Sequence, residues 1–89
     1  MQTVVLIQEE NHGMISVAKD YPSAIDFLVN ENWLDESFEL YEGNGIYKTV
    51  KEKLGEEWKE IILSWDTEQF SDFFEGSFYL TIEDVYGAD

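Results

Sequence analysis

Apolar and polar residues alternate near both ends of the chain. Residues 3–9 and 14–20 form short, β-branched stretches, and the segment between them ends in Gly13, which can adopt a positive φ at a turn. We therefore predict a β-hairpin at the N-terminus. Residues 77–86 alternate in the same way, with apolar positions as far as Ile82 facing the core, so we predict a half-buried strand that joins the hairpin sheet.

Helical spacing of apolar residues predicts the elements in between. An S-x-x-D capping pattern at Ser23 precedes apolar residues on one helix face, which predicts a helix that closes at Leu34. A second apolar stripe starts at Ile46, is interrupted by Gly55 and continues beyond it. We therefore expect two helical pieces with a break at the glycine. A strand within residues 56–65 remains the alternative for the second piece.

Shorter signals predict two further elements. Residues 35–45 carry apolar side chains in period two before a pair of glycines, which indicates a short edge strand and a turn. Asp66 and Gln69 repeat the capping pattern, and phenylalanines follow at helical spacing until Gly76, which predicts a last helix. Together these elements predict one α+β domain over residues 1–89. We expect an antiparallel sheet of about four strands (the hairpin, the middle edge strand and the C-terminal strand) packed against three or four helices.

Composition indicates a folded core beneath a very negative surface. Leucine, isoleucine, valine and phenylalanine make up 26 of the 89 residues, which exceeds the level below which high net charge implies disorder. Twenty acidic residues stand against five lysines and no arginine, so the net charge is −15. This charge opposes binding to nucleic acid or to anionic lipid, because both are polyanions, and favours a protein partner with a basic surface.

The residue types that carry most enzyme chemistry are scarce. The chain has no cysteine, and its single histidine, His12, falls in the predicted hairpin turn without a second imidazole. The glycines before Lys48 lack the G-K-[ST] ending of a phosphate loop, and the lysines that follow alternate with glutamates as on a paired helix surface. The longest apolar run, residues 4–7, is too short for a signal peptide or a membrane span. We therefore expect a cytoplasmic, non-enzymatic protein without metal or cofactor.

The predicted last helix carries the strongest candidate binding surface. Glu68, Asp72 and Glu75 cluster on the side opposite its phenylalanines, so the helix is expected to be aromatic inside and acidic outside. Alternation in the following strand turns Tyr79 away from the core, and Tyr86 lies near the end of that strand. We take these five side chains as candidate partner-binding residues.

Two stretches of the chain carry a resemblance to known proteins. In residues 4–34, VVLIQEENHGMISVAKDYPSAIDFLVNENWL, a G-x-I-x-V-A strand runs into S-A-I-x-F-L and ends in W-L, and the second stretch is FEGSFYLTIEDVYG. They resemble small acidic early or accessory proteins of phages and prophages of Gram-positive bacteria. The resemblance spans most of the chain and contains no catalytic or binding signature. It implies a phage context, in which such proteins often antagonise host restriction, CRISPR or transcription machinery through acidic surfaces.

We therefore expect a small acidic binding or regulatory protein that engages a protein partner with a basic face. The alternative is a nucleic-acid mimic that inhibits a host DNA- or RNA-binding protein. In that case acidic side chains one helical turn apart, at about 5 to 6 Å, stand in for backbone phosphates. A homodimer that buries exposed aromatic side chains also stays open.

Overall fold

The chain folds into five strands and four short helices within residues 2–85. The computed structural model describes residues 2–85. In chain order the elements are β1 (Thr3–Glu9), β2 (Gly13–Ala18), α1 (Tyr21–Asn30), β3 (Glu39–Gly43), β4 (Ile46–Thr49), α2 (Val50–Leu54), α3 (Trp58–Leu63), α4 (Thr67–Phe73) and β5 (Phe78–Asp84). The α+β class is confirmed. Within residues 2–85, no helix is both long and apolar enough to cross a membrane.

The strands form two separate antiparallel sheets. β1 lies in the middle of the larger sheet, with β2 on one side and β5 on the other. The predicted N-terminal hairpin and the C-terminal strand that joins it are therefore both confirmed. β3 and β4 pair with each other in a second sheet. The predicted middle strand thus exists, but it lies outside the larger sheet because its partner is the segment directly after its own turn.

This second hairpin replaces the start of a predicted helix. Asn44 and Gly45 have φ values of 55° and 76°, the conformation that a two-residue type I′ turn requires at both central positions. Ile46 is consequently the first residue of β4 and not of a helix, and its side chain is 53% exposed. The helical spacing is misleading at this residue because only its later members, from Val50 onwards, are helical.

The first helix is shifted from its predicted bounds. Its N-cap is Asp20, whose carboxylate accepts a hydrogen bond from the backbone N–H of Ser23 at 2.9 Å, so the helix begins before Ser23. Hydrogen bonding from Ser23 lowers the pKa of Asp20. At its other end α1 stops before Leu34, because Asn32 adopts a φ of 61° and the backbone N–H of Leu34 donates to the carbonyl of Leu28 at 3.0 Å.

The predicted break at Gly55 is confirmed. Gly55 ends α2 with a φ of 89°, a conformation outside the helical region, and α3 follows after a short turn. Thr49 and Glu52 form a capping box at the start of α2, and the hydrogen bond from the Thr49 backbone lowers the pKa of Glu52. Because residues 58–63 are helical, the strand alternative for residues 56–65 is wrong.

Side chains fix both the start of α4 and its position beside β5. Oδ1 of Asp66 accepts from the backbone N–H of Gln69 at 2.9 Å, and Oε1 of Gln69 accepts from the N–H of Asp66 at 3.0 Å, which confirms the predicted capping pair. The hydroxyl of Ser71 accepts from the backbone N–H of Leu80 at 3.0 Å and donates to its carbonyl at 3.2 Å. These two bonds hold α4 against the side of β5 that faces away from β1.

The core lies between one face of the larger sheet and the helices. Phe70, Phe74 and Phe78 are fully buried, and the rings of Phe70 and Phe74 have their centroids 4.5 Å apart. Phe38, just before β3, packs on Phe74 and Phe78 at 6.0 and 5.2 Å and ties the second hairpin to this cluster. Alternation alone predicts Ile82 in the core. It is 59% exposed, and every residue of β5 after Leu80 is likewise exposed, because this end of the edge strand is not packed into the core.

Candidate functional site

Acidic side chains are spread over the surface and avoid the interior. Of the twenty acidic residues, Asp89 lies outside the described part of the chain, which leaves 19; of these, 18 are exposed and Glu9 is half-buried. None of the charged side chains in residues 2–85 is buried. The negative charge is therefore in contact with solvent, where a partner can reach it.

The predicted acidic stripe consists of Glu68, Asp72 and Glu75, and all three side chains are exposed. Glu68 and Asp72 lie one turn apart on α4, with a rise of roughly 6 Å between them along the helix axis. Glu75 lies beyond the helix, after its C-cap residue Phe74. The stripe is therefore a helical pair followed by one acid from the α4–β5 link.

The two candidate tyrosines have different outcomes. Tyr79 on β5 is 39% exposed, and its hydroxyl accepts a hydrogen bond from the backbone N–H of Gly76 at 3.1 Å. The phenol is thus accessible and held in place by the link that precedes the strand. Tyr86 lies outside the described residues, so its part in the candidate surface stays a prediction.

Within the described residues, lysines neutralise few of the carboxylates. Nζ of Lys51 lies 3.1 Å from Glu56 and 3.9 Å from Glu36, and the hydrogen bond to Glu56 raises the pKa of Lys51. Nζ of Lys53 lies 2.7 Å from Oε2 of Glu42. These contacts differ from the i, i+4 pairs expected along a lysine-rich helix, because they join α2 to other segments.

A cleft of about 430 Å³ opens between the second hairpin and the α4–β5 link. Its carboxylates come from three separate parts of the chain: the β1–β2 turn, β3 and the link itself. The charged and aromatic side chains that line it are Glu10, Glu39, Glu42, Glu75, Tyr41, Tyr47, Phe73 and Lys53. We name it the hairpin cleft. Glu75 is the one residue that it shares with the acidic stripe.

One cation already lies in the hairpin cleft. Nζ of Lys53 is 2.7 Å from the Glu42 carboxylate and 5.1 Å from the centre of the Phe73 ring. A carboxylate and an aromatic face thus hold the same ammonium group. No other cation of the described residues makes an ion pair with the remaining three carboxylates of the cleft.

Sequence reasoning missed the tyrosine pair of this cleft. Tyr41 on β3 and Tyr47 on β4 face one another across the hairpin, with ring centroids 5.2 Å apart, and they are 60% and 57% exposed. The signal that could have found them is the dipeptide Asn44-Gly45, which is the strongest short-range sign of a hairpin between alternating residues. It makes the two tyrosines cross-strand neighbours.

The outer face of the larger sheet differs from the rest of the surface. Helices cover the other face, and strand register together with alternation leaves eight side chains on this one. They are Val4, Leu6, Gln8, Met14, Val17, Tyr79, Thr81 and Glu83. Met14 and Val17 are 56% and 50% exposed. Only Glu83 carries a charge, so this outer sheet face is nearly neutral in a very acidic molecule.

The β1–β2 turn contains the single histidine. Nδ1 of His12 lies 2.7 Å from Oε1 of Glu9, and the hydrogen bond from His12 lowers the pKa of Glu9. The rings of His12 and Trp33 also pack edge to face, with centroids 5.3 Å apart. Among residues 2–85, no three or more histidine, cysteine or acidic side chains are grouped so as to hold a metal ion.

No protein-family model, curated protein or solved structure matches the chain. Candidate surfaces are therefore assigned from charge and geometry alone. They are the acidic stripe, the hairpin cleft and the outer sheet face.

Proposed function

We propose that this chain is a small, non-enzymatic binding or regulatory protein that engages the basic face of a partner protein. The observation that supports this most is the exposure of 18 of the 19 described carboxylates in a chain with five lysines. Such a surface attracts and orients a positively charged protein and repels nucleic acid and anionic membranes. A phage or prophage protein acting on a host protein in the cytoplasm fits this chemistry.

A capture experiment tests the proposal. The tagged protein is incubated with a cytoplasmic extract of a Gram-positive host at about 50 mM and about 300 mM salt, because the higher salt concentration reduces the range of electrostatic attraction. We expect the captured protein to have a basic surface and to be lost at the higher concentration. Capture only of neutral or acidic proteins, retained at both concentrations, would contradict the proposal.

Charge reversal locates the surface. Replacement of the acidic stripe by lysines (Glu68→Lys, Asp72→Lys and Glu75→Lys) is expected to abolish capture while the circular dichroism spectrum stays native. A matched control reverses three exposed acids elsewhere: Asp26→Lys, Glu31→Lys and Glu60→Lys. If both triple variants lose the partner equally, the stripe is not the contact and only net charge matters.

Nucleic-acid mimicry is the second candidate function. The spacing of Glu68 and Asp72 on an exposed helix favours it, because carboxylates at such intervals can occupy a channel built for phosphates. The partner is then a DNA- or RNA-binding protein, and added duplex should displace it from the acidic protein.

A partner held through an apolar patch would behave differently. Its affinity would change little with salt concentration and would depend on an exposed aromatic side chain such as Tyr79.

A further inference from the structure

We propose that the hairpin cleft binds the guanidinium group of an arginine side chain presented by a basic segment of the partner protein. This inference rests on the proposed function, since it takes the partner to have a basic face. It adds the place at which that face makes its deepest contact and the residue type that makes it.

The charge of the hairpin cleft comes from convergence and not from one acidic run. Glu10 belongs to the β1–β2 turn, Glu39 to β3 and Glu75 to the α4–β5 link, and the fold brings all three to one concave surface. None of them makes an ion pair with a lysine of the described residues. Because like charges repel one another in such a cleft, a bound cation gains attraction and also relieves that repulsion.

Lys53 demonstrates that this lining accommodates a cation. Its ammonium group is held by the Glu42 carboxylate at 2.7 Å and lies 5.1 Å from the centre of the Phe73 ring. Within the described part of the chain, no cation lies over Tyr41 or Tyr47. The hairpin side of the cleft thus offers the same combination of carboxylate and ring without an occupant from the chain itself.

The tyrosine pair favours arginine over lysine. A guanidinium group is planar and weakly hydrated, so it stacks on an aromatic ring while its N–H groups donate to a carboxylate in bidentate fashion. Tyr41 and Tyr47 supply two exposed rings beside Glu39. The cleft volume of about 430 Å³ lies within the range of small-molecule sites, roughly 300 to 1,000 Å³, so it admits a side chain together with its flanking backbone.

Two peptides of equal charge test the preference. A fluorescently labelled Gly-Gly-Arg-Gly-Arg-Gly-Gly peptide and its lysine twin are titrated with the full chain at low salt, and anisotropy reports binding. We expect the arginine peptide to bind about threefold to tenfold more tightly, because stacking adds to the ionic attraction that both peptides share. Equal affinities, or no binding of the arginine peptide, would overturn the assignment.

Matched variants test the location. Glu39→Gln with Glu75→Gln removes two cleft carboxylates, and Glu57→Gln with Glu60→Gln removes the same charge from the N-terminal end of α3, outside the cleft. We expect the arginine peptide to bind about tenfold more weakly to the first double variant and less than about twofold more weakly to the second. Equal weakening by both pairs would mean that net charge alone attracts the peptide, and the cleft assignment would fall.

The ring contribution has its own pair of variants. Tyr47→Leu is expected to weaken binding by about threefold to tenfold, whereas Tyr47→Phe keeps the ring and should keep the affinity. Circular dichroism verifies that each variant is folded. Equal affinities for the two variants would show that the ring does not contact the peptide and would overturn the stacking geometry.

The capture experiment decides the proposed function separately. If a basic partner is captured and both glutamine pairs weaken its capture equally, the cleft assignment fails and the proposed function stands. If no basic partner is captured, the proposed function fails, whether or not the arginine peptide binds. Selective loss of both peptide and partner in the cleft variant supports the two together.

Discussion

The two hairpins of this protein have similar turn chemistry and end in different environments. The turn after β1 ends at Gly13, and the turn after β3 contains Asn44 and Gly45; all three residues have positive φ. β1 becomes the centre of a three-stranded sheet and places Val5 and Ile7 in the core, at 4% and 0% exposure. In both cases the turn forms a hairpin. Whether that hairpin is buried depends on contacts from the rest of the chain, which β5 and the helices supply to the first hairpin.

The second hairpin is anchored at its base and exposed at its tip. Leu40 is its one buried side chain, and the backbone N–H of Val50 donates to the carbonyl of Phe38 at 2.9 Å where the hairpin leaves the body of the molecule. Tyr41 and Tyr47 near the tip are each more than half exposed. The larger sheet thus supplies stability, and the second hairpin supplies accessible aromatic surface.

The largest expected effect tests the core side of this contrast. Phe74→Ala removes a fully buried ring that packs on Phe38, Phe70 and Phe78, so we expect a loss of about 3 to 5 kcal/mol in the free energy of unfolding. Urea unfolding followed by circular dichroism measures it. The control Tyr41→Ala removes a ring of similar size from the hairpin and should cost less than about 1 kcal/mol. If Phe74→Ala lowers the free energy of unfolding as little as Tyr41→Ala does, the core and the exposed hairpin do not differ in their contribution to stability.

The base of the second hairpin comes next. Leu40→Ala deletes its buried anchor, and we expect a loss of about 2 to 3 kcal/mol in the same assay, at the lower end for buried leucines because the site is at the margin of the core. Ile46→Ala is the matched control, since that side chain is 53% exposed, and should stay within about 0.5 kcal/mol. Similar losses of stability at the two positions would show that the base and the tip of the hairpin contribute equally to stability.

The N-cap of α4 gives a smaller effect. Asp66→Ala removes an acceptor for the backbone N–H of Gln69, so we expect a loss of about 1 kcal/mol in global unfolding. Asp66→Asn keeps an acceptor in the same position and should restore most of the stability. If alanine and asparagine are equivalent, the cap does not contribute through this hydrogen bond.

The tip of the second hairpin should be nearly independent of the larger sheet. The double variant Tyr41→Ala, Tyr47→Ala removes one cross-strand pair and is expected to cost less than about 1 kcal/mol. Hydrogen exchange should become faster for amides of β3 and β4, while amides of the larger sheet keep their protection. Loss of protection in β1 as well would show that the two hairpins unfold as one unit.

The last prediction concerns the acid dependence of the body. Hydrogen bonding from Ser23 holds the pKa of Asp20 below its ordinary value of 3.8 in the folded protein. The stabilisation is therefore fully present above that value and is lost as pH falls through the folded-state pKa. The stability difference between the wild type and Asp20→Ala should be largest near neutrality and shrink in acid. Asp20→Asn keeps a cap acceptor and cannot titrate, so its difference from the wild type reports the charge of the carboxylate and not the cap hydrogen bond alone. Urea unfolding at several pH values checks this, and a constant alanine difference down to strong acid would contradict it.

The larger sheet and α4 can be predicted from the sequence because local signals agree with the tertiary contacts. Alternation in residues 3–9 and 77–86 matches strands that lie side by side, and the Asp66 capping pattern matches a helix whose phenylalanines are buried. Alternation does not reveal how far a covering layer extends. For that reason Ile82 is correctly assigned to a strand and wrongly assigned to the core.

The middle of the chain contains two conflicting signals. Ile46 and Val50 have helical spacing, whereas Asn44-Gly45 indicates a hairpin, and the turn prevails because its backbone conformation is available to very few residue types.

The candidate surfaces also differ in how far the sequence predicts them. The acidic stripe is local in sequence, but Glu10, Glu39 and Glu75 are separated by 29 and 36 positions, so the hairpin cleft exists only once the second hairpin lies beside the α4–β5 link.

The contact between Ser71 and β5 bears on aggregation. β5 is an edge strand, and the unpaired N–H and C=O groups of an edge can recruit a strand from another molecule and extend the sheet. At Leu80 one hydroxyl occupies both groups, with bonds of 3.0 and 3.2 Å, and so substitutes for the neighbouring strand that β5 lacks. Carboxylates of like charge repel other copies of the protein at long range, and this serine occupies one pair of the edge groups that a second copy would need for strand pairing.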